Sequence, residues 1–143
     1  MNKKNNKGFS LIELVIVITI MVILTALLAP QLLRYVEQSR AAKDGVTIDE
    51  VHRAIELALT DETVYKSMAA SSTVAYAHSG TLTVTGSTGN ALAAELVKTL
   101  GGTQASNTIT GMPAFVSTAY KDATVTYTIT LDASTGASVK WTK

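Results

Sequence analysis

The sequence predicts an α+β fold: a long kinked N-terminal α-helix, half transmembrane in character and half amphipathic, packed against a small antiparallel β-sheet head with one additional short helix. Three observations carry this. Leu11 to Ala29 is an almost unbroken apolar run, residues 48–59 repeat apolar side chains at helical spacing, and the C-terminal segment alternates apolar residues with threonines.

The first element is set by transfer energetics. Thirteen residues between Leu11 and Ala29 are Leu, Ile or Val, interrupted by Glu13, Thr19, Met21, Thr25 and two alanines. Each branched aliphatic contributes about −0.3 to −0.6 kcal/mol to insertion and a mid-helix acid costs about 2.5 to 3.5, so insertion is favoured by a few kcal/mol. Phe9 to Pro30 gives about 33 Å of helix at 1.5 Å per residue, against a hydrocarbon core of about 30 Å. A cleaved secretory signal would have a shorter apolar region ending in small residues, and here Leu27 stands two residues before Ala29. A plain signal anchor explains the hydrophobicity and leaves Glu13 unexplained. A carboxylate in such a helix is either protonated or paired with a cation.

Pro30 follows the run. Its ring removes the hydrogen bond to the Ala26 carbonyl, which predicts a kink or a melted turn. Beyond it, Ile48, Val51, Ile55, Ala58 and Leu59 form a stripe with Asp49, Glu50, Arg53 and Glu56 between them. The whole helix is expected to run from about Phe9 to about Thr60, with a bend possible at Gly45. The small residues Ser39, Ala41, Ala42 and Gly45 suit close approach by another helix.

After Lys66 the composition changes: residues 31–66 hold twelve charged side chains, and residues 67–143 hold seven. Val74 to Ala77 and Thr81 to Thr85 read as short strands, and residues 86–89 as a break. Leu92, Leu96, Val97 and Leu100 share one face of a second helix that Gly101-Gly102 stops. Residues 103–123 read as a loop carrying a short strand. Val125, Tyr127, Ile129 and Leu131 then alternate with Thr124, Thr126, Thr128 and Thr130. Past a turn at 132–136, Ala137, Val139 and Trp141 alternate with Ser138, Lys140 and Thr142. This is a hairpin expected to bury one face against the helical stripe of residues 48–59.

The 143 residues carry a formal charge of +1, no cysteine and two histidines. So small a charge argues against a nucleic-acid surface, and the lack of cysteine excludes disulfides and thiolate metal sites. Lys3, Lys4 and Lys7 form a basic leader that keeps the N-terminus cytoplasmic by the positive-inside rule. No constellation for catalysis stands out. His52 and His78 lack a partner motif and read as solvent-facing, Gly86 and Gly89 lack the lysine of a phosphate loop, and Asp122 with Asp132 supplies too few oxygens for calcium. The chain therefore reads as a non-enzyme without a cofactor.

Gly8-Phe9-Ser10-Leu11-Ile12-Glu13-Leu14, placed after the basic leader, resembles the class III signal of type IV pilin precursors. The resemblance implies cleavage between Gly8 and Phe9 by a prepilin peptidase, N-methylation of Phe9, and extraction into a helical filament by a membrane assembly machinery. It makes Glu13 an assembly residue that pairs with the new amine of Phe9 on another subunit, and Pro30 a place where the helix kinks or melts. The implied organisation is a leader over 1–8, a transmembrane and filament-core helix over 9–30, an amphipathic continuation over 31–66, and an extracellular head over 67–143. Processing would leave nine basic and eleven acidic side chains, formally −2. The expected function is a structural pilus subunit, a major pilin, anchored in the cytoplasmic membrane before assembly and extracellular after it. The alternatives are a pseudopilin of a secretion or DNA-uptake machine and a membrane-anchored binding module that never polymerises.

Overall fold

A computed structural model describes residues 8–87, 90–132 and 136–143. The leader lysines, Thr88 and Gly89 of the expected break, and residues 133–135 of the hairpin turn lie outside the described residues. The chain forms two compact units, residues 1–37 and 38–143. Helix α1 (Leu11–Ala58) begins in the first and ends in the second.

In the first unit the helix exposes apolar side chains on every face, from 38% exposure at Val36 to 81% at Leu11. Its two threonines turn their hydroxyls onto their own backbone. Thr19 donates to the Val15 carbonyl at 2.7 Å and Thr25 to that of Met21 at 2.8 Å. Both polar groups are thus satisfied within the segment, the condition a lipid environment imposes. The helix continues through Pro30 with no melted turn. It is the one helix among the described residues long and apolar enough to cross a membrane.

The second unit is the α+β head. The last turns of α1 bury Asp44, Thr47, Ile48, Val51, Ala54, Ile55 and Ala58, a stripe at three- and four-residue spacing. Against it lies a six-stranded antiparallel sheet made of β1 (Met68–Ala77), β2 (Thr81–Ser87), β3 (Thr103–Ala105), β4 (Thr108–Thr110), β5 (Thr124–Asp132) and β6 (Gly136–Thr142). The strand order is β3-β4-β2-β1-β5-β6, so β5 returns to pair with β1. Val74, Tyr76, Leu82, Val84, Ile109, Val125, Tyr127 and Ile129 point into the core with the helix stripe. Tyr127 ties the two layers by donating to the Ile48 carbonyl at 2.8 Å.

Two short helices close one side. α2 (Glu62–Ser67) is capped by Asp61, whose carboxylate accepts from the Thr63 N–H at 2.7 Å. α3 (Ala91–Leu100) buries Leu92, Ala93 and Leu96 and ends at Gly101, whose φ of +80° is open to glycine. Gly80 is required for a different reason. It sits at φ +77°, and a Cβ there would lie 2.2 Å from the Met112 carbonyl oxygen.

Four details depart from the sequence reading. There are two additional helices rather than one, because α2 is too short to show a periodic pattern and is announced only by its Asp61 cap. β1 starts at Met68, six residues earlier than expected. Residues 103–110 form a hairpin of two three-residue strands. The expected inner face of β6 is not buried: Ala137 is exposed, Val139 is half-buried and Trp141 is 43% exposed. β6 is the sheet's edge strand and α1 has stopped at Ala58, so little covers it.

The other face of the sheet turns away from α1. Register places Thr108, Thr83, Ala75, Thr126 and Thr142 side by side across five strands. Thr81, Ala77 and Thr124 form the next row, and Thr85, Thr73, Thr128 and Lys140 another. Threonine suits such positions through its β-branched stiffness.

Candidate functional site

Gly8, Phe9 and Ser10 precede the helix in irregular, exposed chain, and Phe9 is 93% exposed. The Gly8–Phe9 bond therefore lies outside the helix, where a protease cleft can take it as extended backbone. A Cβ at Gly8 would meet nothing within 4 Å. The chain's own packing does not call for glycine at this position, so any requirement for it comes from whatever binds the segment.

Glu13 is engaged by the helix start. The Ser10 N–H donates to its Oε2 at 2.8 Å, and the Leu14 N–H donates to the Ser10 carbonyl at 3.3 Å. Ser10 thus takes the N-cap position and Glu13 the third helical position, which gives the carboxylate half of a capping box. The Ser10-x-x-Glu13 spacing carries this helix-start signal in the sequence itself. Here the carboxylate faces the end of the helix where unpaired N–H groups and the positive pole of the dipole favour it. A carboxylate accepts several hydrogen bonds, so the bond from Ser10 leaves capacity for a cation. Pro30 lies 17 positions further on within helical backbone. The structure brings Gly8, Phe9 and Glu13 together at one helix end and keeps Pro30 apart from them.

The head holds a second, purely intramolecular set of polar contacts. Asp44 accepts from the Val116 N–H at 3.0 and 3.1 Å through its two oxygens and from the Ser117 N–H at 2.8 Å. Burial pushes its carboxyl up, but the bonds from Ser117 and Val116, aided by nearby Lys43, outweigh this and hold it below the ordinary 3.8. Asp44 therefore fastens the 111–123 loop to α1. Tyr76 donates to the Pro113 carbonyl of the same loop and stacks edge-on against Phe115, with ring centroids 4.8 Å apart. Burial pushes the Tyr76 hydroxyl up to about 12 and that of Tyr127 higher still, so both remain donors.

The histidines are not the solvent-facing residues the sequence suggested. His52 is a quarter exposed, pairs with Glu56 at 3.3 Å and leans on the Tyr127 ring, and the Nδ1 atoms of both His52 and His78 are buried. Neither is joined by a nucleophile or a ligand set, and among the described residues no three His, Cys, Asp or Glu side chains gather for a metal. Two shallow concavities, one between α1 and Leu100, Met112 and Pro113 and one between Leu59 and Val139, have no converging catalytic groups.

The chemistry-bearing end of the molecule is thus its N-terminal segment. Residues 3–29 match the family model of the prokaryotic N-terminal methylation motif. The match covers the N-terminal segment alone and supports a type IV pilin-like class III signal there. Comparison with curated proteins and with solved structures gave no match.

Proposed function

We propose that the chain is a structural subunit of a type IV pilus, a major pilin that polymerises through its N-terminal helix. The observation that carries this is the methylation motif set over the first part of a helix whose apolar window is buried on no face. In this reading a prepilin peptidase cuts Gly8 from Phe9, and Phe9 becomes a methylated N-terminal amine. An α-amine with an ordinary pKa near 8 is largely protonated at neutral pH. It would pair with Glu13 of a neighbouring subunit, neutralising the one acid in the apolar segment and fixing the neighbour's register. Residues 9–30 would then form the filament core, and Pro30, which leaves the Ala26 carbonyl without a helical donor, is the place where the helix melts on packing.

Before assembly the helix would span the cytoplasmic membrane with its N-terminus cytoplasmic, and assembly machinery would extract it into an extracellular filament. A pseudopilin of a secretion or DNA-uptake machine is the second reading, favoured by the same motif. Electron microscopy of cells with and without the protein separates the two: long surface filaments that vanish on deletion support a major pilin, and filaments that persist unchanged refute it. Intact-mass analysis tests the processing step. A mature N-terminus other than methylated Phe9 removes its basis.

A further inference from the structure

The sheet ends differently on its two sides. On one side β3 is three residues long and follows Gly101-Gly102, both at positive φ, so it offers little regular edge. On the other, β6 offers seven residues whose register on β5 runs unbroken from Asp132↔Gly136 to Thr126↔Thr142. Sheet edges are ordinarily blunted by brevity, proline, bulges or charge. β6 has neither proline nor bulge, and its one charged side chain is Lys140. Among the described residues β6 pairs with β5 alone, so every second residue turns its N–H and C=O to open space.

A second observation lies on the inner face. Tyr127 is wholly buried, whereas Trp141, directly opposite it in register, is 43% exposed. Val139 is half-buried, and between it and Leu59 opens a concavity that Glu56, Thr60, Ala137 and Ser138 complete. The uncovered apolar strip and the unpaired backbone edge thus belong to the same strand.

We propose that β6 is a docking edge on which an extended segment of another protein adds as a seventh strand. Only a strand satisfies a row of alternating donors and acceptors along about 24 Å of backbone, since a helix has already paired its own groups internally. The side chains of β6 set the sequence of that segment. Directly opposed residues share a face, so those facing Val139 and Trp141 turn inward over the concavity and are apolar. The residue facing Lys140 turns outward, where the opposite charge is favoured. The segment is therefore an alternation of apolar and polar residues with Asp or Glu at a polar position between two apolar ones. A second copy of β6 has no acid to set against Lys140. The inference concerns the head alone and stands whether or not the chain polymerises.

The test uses the full chain in detergent and the peptide Val-Thr-Val-Glu-Val-Thr-Val, whose symmetric pattern serves either strand direction. Trp141 is the sole tryptophan of the chain, so its fluorescence reports cover at the site directly. The peptide is expected to shift that emission to shorter wavelength, saturably, and to slow amide hydrogen exchange across residues 136–142. A peptide of the same composition without alternation, and the alternating peptide N-methylated at its three central residues, bind at least about tenfold more weakly. Lys140→Glu, at an exposed position, weakens binding of the glutamate peptide about fivefold and makes a lysine-centred peptide the tighter one. A peptide-free emission spectrum equal to that of the wild type certifies the fold of the variant. No shift with the wild type, a shift that the shuffled or N-methylated peptide reproduces, or a charge preference that Lys140→Glu leaves unreversed overturns the proposal. So does a peptide-free dimer in which Trp141 is already covered, which makes a second copy the occupant.

Discussion

Replacing Asp44 by alanine removes the acceptor for two backbone N–H groups on a loop 72 and 73 residues away. A hydrogen bond to a charged acceptor is worth about 1.5 to 3 kcal/mol, and an orphaned buried donor costs about 1 to 3. The Ser117 N–H is buried and bears the full penalty. The Val116 N–H is only partly buried and is rescued in part by water, so the total is about 3 kcal/mol. At about 4 °C per kcal/mol for a unit of this size, the melting temperature falls by about 12 °C. Asp44→Asn keeps one acceptor oxygen and should lose about half as much. Because the folded carboxyl lies below its ordinary 3.8, its stabilisation is fully present above that value and is lost as the pH falls through the folded value. The gap between wild type and Asp44→Asn should thus be open at pH 7 and narrower at pH 2. Thermal unfolding of the full chain in detergent, followed by near-ultraviolet circular dichroism at both pH values, measures it. A cost under about 1 kcal/mol for Asp44→Ala, or a wild-type advantage over Asn that is undiminished at pH 2, would refute this account of the loop.

Other expectations concern single positions. Gly8→Val should leave the head's melting temperature unchanged, because its side chain meets open space, while intact mass shows the leader retained in cells that carry a prepilin peptidase. Glu13→Gln keeps a side-chain oxygen for the Ser10 N–H but cannot pair with an amine, so processing should continue while filament yield drops at least about tenfold. Equal yields would remove the pairing role. Gly80→Ala forces a methyl onto the Met112 carbonyl at a positive φ and should cost more than about 2 kcal/mol in a denaturant titration.

What could be read in advance follows from how far each signal reaches. The stripe of Ile48, Val51, Ile55 and Ala58 and the alternation from Thr124 to Leu131 declared both layers of the head, because burial on one side imposes its period on the residues. The edge position of β6 was not declared. Val139 and Trp141 alternate as a buried strand would, and only the tertiary fact that α1 stops at Ala58 leaves them uncovered. Nothing in the sequence marks Asp44, since its partners at Val116 and Ser117 are backbone groups that any sequence supplies. The histidines were misplaced for a similar reason: His52 sits among charges in sequence, while the Tyr127 ring that covers it arrives from 75 residues away. At the N-terminal end the processing and assembly roles expected of Gly8, Phe9 and Glu13 come from a resemblance, whereas the hydrogen bond from the Ser10 N–H to Glu13 follows from their three-residue spacing.

The strand order has a consequence for how the chain is made. β1 emerges from the ribosome early, yet its central neighbour β5 follows 47 residues after β1 ends, with β2, α3, β3 and β4 in between. Until residue 124 has been synthesised, one whole edge of β1 is unpaired and the stripe of α1 has only four of the six strands to cover it. Contacts of such sequence separation close slowly. A nascent head therefore waits, incomplete and open to proteases, for its last quarter. A stop codon just before β5 would then strip two strands from one end and turn the central β1 into an exposed edge, while loss of β6 alone would leave β1 paired on both sides.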